Sequence, residues 1–454
     1  MACGQKVANL AVARIIPLFL GGLIIYGCWA FTKPLCIDYL LDTPHEENAR
    51  QPRRGLAAGL LVVLYVLLVF LLAAYLRLIV TIVWNPGYIP RGPEWRQVRE
   101  NNLSDETKQH SGKHRRKSRS RQRDGTCGRD VEVGLGSHTE KSAYRQDAVG
   151  LEAYYLKDVF VCREDGKPTW CSTCCQFKSD RAHHCREVDR CVRKMDHFCP
   201  WVGGVVSETS FKFFIQFIFY TTLFTGFNII VMAVFVAELS KERGSVNVHW
   251  ILVLALSAFF GLFAFAMLLS SLHITWHNSS TIENLDRHTK VWMLAILIPR
   301  LEDLPRPASF PIVSFPPLST TQSSIPRRHF AILHTKPGES PFDLGSPLAN
   351  LKEVLGYSIV DWLLPLKHSP CTDHSHQEGA FRVGPVVERL RREAGLVPSR
   401  SSGGSNAQSH HRRKRTHGHQ NDEGNQGNPN QHLARRSSER HHREHRDHRQ
   451  PTSR

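Results

Sequence analysis

The chain alternates between long apolar blocks and long polar ones. Four of the blocks are long enough to cross hydrocarbon, covering about residues 10–31, 56–84, 211–239 and 250–276, against the roughly 20 residues that a spanning helix needs. Their charges are few: Arg14 near the start of the first block, Arg77 inside the second, and Lys212 and Glu238 near the two ends of the third. End charges can snorkel to the headgroups. Buried helices of a soluble protein rarely exceed about 20 residues with so little charge inside. The pattern therefore predicts an α-helical polytopic membrane protein with four transmembrane helices. The first block lacks a small-residue cleavage site and three more spans follow it, so it reads as a retained helix. The spans carry almost no interior ionisable residues, which argues against a channel or transporter.

Charge sets the expected topology. The formal net charge is +17, and the loop over residues 85–210 carries about two dozen Lys and Arg. Basic loops stay in the cytosol. Four spans then place both termini and this middle loop in the cytosol, with residues 33–55 and 241–248 on the lumenal or outer side. Residues 105–125, "DETKQHSGKHRRKSRSRQRDG", are basic, Ser-rich and without periodicity, and read as a disordered insertion. Beside a membrane, such basic runs meet anionic lipid rather than nucleic acid. Residues 305–326 read as a Pro- and Ser-rich linker, and residues 371–454 as a disordered, basic, His-rich tail. The expected order is spans one and two (1–84), a loop with the basic insertion (85–165), a cysteine-rich domain (166–210), spans three and four (211–276), a C-terminal motif region (277–370) and the tail.

Cysteine placement brings in chemistry. Eight of the twelve cysteines lie between Cys127 and Cys199. Thiols in the cytosol stay reduced, so this density favours metal or catalysis over disulfides. Cys171-x2-Cys174 is a common half of a zinc site, and His184 with Cys191 supplies a second pair for a tetrahedron. Cys175, His183 and Cys185 would satisfy the spacing equally well. Shortly after comes "MDHFCPWV", with Asp196, His197 and Cys199 within four residues. A thiolate is the nucleophile, a nearby imidazole helps to form it, and a carboxylate can fix the tautomer of that imidazole. A buried cysteine packed beside Trp201 is the bland alternative.

The block from Trp170 to Phe214 resembles the cysteine-rich domain of DHHC-type protein S-acyltransferases. The family pattern C-x2-C-x9-H-C-x2-C-x2-C-x4-D-H-H-C-x5-C-x4-N-x3-F lies on Cys171 through Phe214 without a gap. Asn85-Pro86-Gly87 resembles the family's Asp-Pro-Gly, Ser280-Thr281-Ile282-Glu283 its Thr-Thr-x-Glu, and Ser340 to Pro365 its C-terminal motif, with Asn350 at the asparagine position. The resemblance is strongest to fungal palmitoyltransferases of the Pfa type, with DHFC in place of DHHC.

This resemblance implies roles and one loss. Cys199 would be the nucleophile, His197 the base and Asp196 its orienter. Cys171, Cys174, His184 and Cys191 would hold one zinc. The family's second zinc would use Cys185 and the positions held here by Val188, Phe198 and Val205. A single cysteine cannot hold a structural zinc, so one ion per chain and a small apolar cluster are expected. Lys178, His183 and Arg181 are the expected cations near coenzyme A; Thr281, matching the family threonine that contacts the aspartate, joins this cofactor-facing set. Ser210, Gly203 and Gly204 stand where the family has asparagines. The implied reaction moves palmitate from palmitoyl-CoA through a Cys199 acyl-enzyme to membrane-proximal cytosolic cysteines of protein substrates in the lipid bilayer. The alternative is a catalytically degenerate membrane scaffold of the same fold.

Overall fold

Continuous apolar sequence gives four long helices in the computed structural model, which describes residues 2–42, 51–97, 99–100, 150–304, 307–316 and 327–396. Span one covers Ala2–Ala30 and continues as a π-helix over Phe31–Leu41. Sequence reading ends it near residue 31, where Lys33 and Pro34 follow. The helix carries on by widening into π geometry around Pro34, which has no N–H to give to the ladder. Spans two, three and four cover Arg54–Trp84, Phe211–Arg243 and Val248–Trp276. All four are long and apolar enough to cross a membrane.

Span three lies between spans two and four and packs on both. Its core-facing residues Tyr220, Phe224, Met232 and Phe235 join Leu64, Leu71 and Trp250 in one apolar cluster. At the far end from the cysteines, Arg53 pairs with Glu238 at 2.8 Å. At the near end, Phe211, Phe214 and Ile218 pack with Tyr75, Leu78 and Ile82 of span two and with Cys199. This second cluster sets the cysteine-rich region directly on the helix ends.

Among the described residues between spans two and three, the chain forms three short antiparallel hairpins: Trp170–Cys171 with Gln176–Phe177, His183–Cys185 with Arg190–Val192, and His197–Cys199 with Gly204–Val206. The Asn85-Pro86-Gly87 turn clamps them to span two. Its three carbonyls accept from Thr209 Oγ1 (2.6 Å), Ser207 Oγ (3.1 Å) and the Arg193 amide (2.9 Å).

A four-stranded antiparallel sheet was not foreseen. Its order is Val159–Val161, Met293–Leu297, Arg328–His334, Ile312–Phe315. The last strand falls inside the stretch expected to be a linker. The β-branched and aromatic pattern of Ile312, Val313 and Phe315 outweighs the flanking prolines, which lie outside the paired residues. Residues 371–396 also depart from the expected tail. Pro385–Glu393 is a helix whose Val387 and Leu390 are buried against Val159, Leu294 and Ile296. Averaging over the His- and Arg-rich remainder hides this short apolar pattern. The expected disorder of residues 105–125 and of the chain beyond residue 396 lies outside the described residues.

Candidate active site and metal centre

The hairpin containing His197–Cys199 puts residues 197 and 199 on one face of a strand, as a period of two requires. Cys199 pairs with Gly204, and Pro200–Val202 forms a 3-10 turn closed by Gly203 at φ +78°. Gly204 is fixed by space as well: a Cβ there would stand 2.5 Å from Ile82 Cγ2. The glycines at two of the family's asparagine positions thus let the hairpin lie close on spans one and two. Ser210 keeps a polar role, since its hydroxyl accepts from the Ser207 amide at 3.0 Å just ahead of span three.

Asp196 and Cys199 are both buried. The carboxylate of Asp196 meets three donors. Its Oδ2 lies 2.7 Å from His197 Nδ1, and it also accepts from Thr281 Oγ1 at 2.9 Å. Oδ1 accepts from the Thr281 amide at 2.7 Å. Thr281, expected on the cofactor-facing side, is therefore committed to Asp196. With Nδ1 bound, His197 Nε2 is the ring nitrogen left without a hydrogen-bond partner. Burial alone would lower the basicity of the imidazole. The hydrogen bond to Asp196 and the neighbouring Cys199 outweigh it and hold His197 up at about 10. An imidazolium beside a thiol, oriented by a carboxylate, is the arrangement that supports a thiolate nucleophile.

Cys171, Cys174, His184 and Cys191 converge. Their ligand atoms all lie within 4.8 Å of one another. His184 Nδ1 is 3.7, 3.3 and 4.0 Å from the three sulfurs. A tetrahedral zinc with ordinary Zn–S and Zn–N bonds sets ligand atoms about 3.5 Å apart, so the donor set and its spacing fit that ion. Strand pairing of His184 with Cys191 supplies half of the geometry. The rest comes from Gly92, whose amide donates to the Cys174 carbonyl at 2.9 Å; a Cβ there would sit 1.6 Å from the Cys175 carbonyl oxygen. His184 Nε2 faces Asp189 at 3.6 Å, and Arg91 donates to the same carboxylate at 3.3 Å. The Asp189 carboxylate thus stands on the side of the imidazole away from the three sulfurs, where an outer-shell partner of a ligating histidine is found. Of the three alternatives left open by spacing, Cys185 lies in a different cluster, and neither Cys175 nor His183 joins the four.

The positions to which the resemblance assigns a second metal come together as apolar packing. Val205, Val188 and Phe198 share one cluster with Cys185, Val192, Met195, Tyr88 and Ile282. Cys185 is 1 % exposed, and burial pushes its thiol up to about 12. It packs there as a small core side chain among Val192, Met195 and Val205.

Arg181 departs from expectation. Its side chain is 1 % exposed. It forks onto Glu283 at 2.8 and 2.6 Å, donates to the carbonyl and side chain of Asn278, and stacks over Phe342. Its donors point inward, away from any phosphate. Lys178 and His183 are half-buried on two different hairpins. Sequence reading missed Lys194 and Asn278: Lys194 Nζ donates to Asn278 Oδ1 at 3.1 Å, which ties the residue two before Asp196 to the end of span four. The flanking Ser-Thr-Ile-Glu motif was the available signal for this network. Asn350 is buried and donates to the Trp276 carbonyl at 2.8 Å and to Asp343 at 2.9 Å.

Residues 164–288 match the family model described as DHHC palmitoyltransferase. The chain is similar to palmitoyltransferase pfa5 of Aspergillus fumigatus, 52 % identical over 417 residues that cover 88 % of this chain and 93 % of that protein. It is also similar to palmitoyltransferase pfa5 of Emericella nidulans, 46 % identical over 87 % of this chain and 88 % of that protein. A more distant relative, palmitoyltransferase PFA5 of Kluyveromyces lactis, is 24 % identical over 77 % of this chain. A cysteine-rich domain with a Cys3His cluster sits between the second and third of four membrane-length helices, and the match runs nearly end to end: the chain belongs to the DHHC palmitoyltransferase family and is an acyltransferase enzyme.

Proposed function

We propose that Cys199 carries the acyl group, with His197 as its proton partner and Asp196 as the orienter. The observation that carries this reading is the continuous chain Thr281–Asp196–His197, ending beside Cys199 on one hairpin. The Cys199 sulfur attacks the thioester carbonyl of palmitoyl-CoA. The carbon–sulfur bond to CoA breaks, CoA leaves as its thiol with a proton from His197, and a new thioester joins the acyl group to Cys199. A cysteine thiol of a membrane-associated protein then gives its proton to His197 and attacks that thioester; the bond from the acyl carbon to Cys199 breaks as the new thioester forms, which restores the Cys199 thiolate and gives a ping-pong sequence. Lys178 and His183 are the cations proposed to face CoA, and Arg181 is a positioning residue for the Ser280–Glu283 turn. Cys171, Cys174, His184 and Cys191 would hold one zinc ion as a structural cross-link. The basic middle loop supports a cytosolic placement for it and for both termini.

Incubating the purified chain with a labelled palmitoyl-CoA analogue tests this. Hydroxylamine-sensitive label on the wild type and its absence from Cys199→Ser is the expected result. Equal labelling of both would refute the assignment.

A further inference from the structure

The short helix Ile359–Leu363 ends without intrahelical partners for its last carbonyls, as every helix does. Here two side chains of span three supply them. The two N–H donors of Gln216 Nε2 are shared among the carbonyls of Asp361, Trp362 and Leu364, at 3.1, 3.0 and 3.2 Å, and Tyr220 Oη donates to that of Leu363 at 2.9 Å. Span two holds the next residues, with Arg77 3.2 Å from His368. The segment is thus fastened along two transmembrane helices rather than above them.

Its depth follows from span three itself. Glu238, paired with Arg53, is the first charged residue after Lys212 along span three, and we set the far limit of the apolar layer there. Tyr220 is eighteen residues away on the same helix, about 27 Å at 1.5 Å per residue, and Gln216 about 33 Å. A hydrocarbon core is about 30 Å thick. Tyr220 therefore lies just inside the near boundary and Gln216 just outside it. The backbone that they hold sits at the same level.

At this level the segment turns apolar side chains outward. Tyr357, Ile359, Val360, Leu363 and Leu366 are 62, 74, 58, 44 and 68 % exposed, while Trp362 packs inward on the helix-end cluster. On span two, which meets His368 through Arg77, Leu76, Val80 and Val83 are exposed in the same way. Lys367, Arg77 and His368 stand nearby at the polar edge, where cations meet lipid phosphates.

We propose that residues 357–366 are a membrane-embedded flap, seated at the headgroup–hydrocarbon boundary of the leaflet that faces the cysteine-rich domain. The bilayer is its occupant, because its apolar face continues the lipid-facing surface of span two. The flap follows directly on the helix Pro347–Leu355, which carries Asn350. Its seat in lipid fixes the height of the Asn350 contacts at the end of span four, and through Asn278 and Lys194 the height of the Asp196 hairpin.

The test uses the full chain in vesicles of phosphatidylcholine and phosphatidylserine, with a photoreactive benzophenone residue in place of Val360 or, separately, Leu363. Irradiation and mass spectrometry should find phospholipid attached at both positions, at least tenfold above the same probe in place of the exposed Glu164 on the cysteine-rich side. Crosslinks to a second copy of the chain, products confined to the chain itself, or equal lipid labelling at Glu164 would each overturn the proposal. Both probes replace exposed side chains, so folding should tolerate them, and retention of label at Cys199 checks it.

Discussion

Asp196 accepts three hydrogen bonds, and two of them come from one residue 85 positions away in sequence. Replacing Thr281 by Val removes the hydroxyl and keeps the amide. A hydrogen bond to a charged group is worth about 1.5–3 kcal/mol, so acyl-enzyme formation should slow by about ten- to a hundredfold, with Thr281→Ser restoring most of it. Single-turnover labelling reads this directly. The His197 pair also carries a pH signature. A histidine held at about 10 when folded, against about 6.5 unfolded, contributes its full stabilisation below about pH 6.5 and loses it as the pH rises through about 10. The gap in melting temperature between wild type and Asp196→Asn should therefore shrink steadily from neutral pH to about pH 10. A constant gap would mean that the pair is not ionic. Asp196, His197 and Cys199 were legible in sequence because they are contiguous and chemically unusual together. Lys194, Asn278 and the inward turn of Arg181 were not. Polar residues in a basic loop look like solvated surface until their distant partners, such as Glu283, are brought beside them.

At the scale of elements, two clusters of similar size hold neighbouring hairpins by different means. One gathers three sulfurs and an imidazole at metal-site spacing; the other packs Val188, Phe198 and Val205 around Cys185. Val205 is buried and Val188 and Phe198 partly so; full burial of a Val or Phe contributes about 1.5–3 kcal/mol, so the three together give less than a structural zinc site but without dependence on metal supply. Metal analysis of the wild type should give one zinc per chain. The triple variant V188C/F198H/V205C regenerates a second donor set with Cys185 and should give two, since the hairpins already stand in register. The four spans were legible from apolar length alone. The sheet was not, because its strands are short, lie far apart in sequence and interleave with Pro-rich stretches, and only pairing identifies them.

For the whole molecule, the end of span four is where membrane and cytosolic chemistry meet. Asn350 bonds the Trp276 carbonyl, Asn278 bonds Phe342, Lys194 and Arg181, and Thr281 reaches Asp196. Asn350→Ala leaves a helix-end carbonyl and the Leu344 amide without their partner. It should lower acyl-enzyme formation at least tenfold while zinc content stays at the wild-type value. Loss of zinc together with activity would point instead to general unfolding.

The antiparallel sheet has a further meaning for the chain as a loop. Val159–Val161 precedes the metal cluster, and its partner Met293–Leu297 follows span four. Their pairing closes a ring that contains both cysteine clusters, the Asp196 hairpin and two membrane crossings. Closing so long a ring costs little more entropy than closing a short one, since the cost grows only with the logarithm of length. In return, the hydrogen bonds of one small sheet tether every reactive group at both ends. A chain that stops anywhere before Leu294 does not merely lose a tail: it opens that ring and leaves Val159–Val161 without its partner strand.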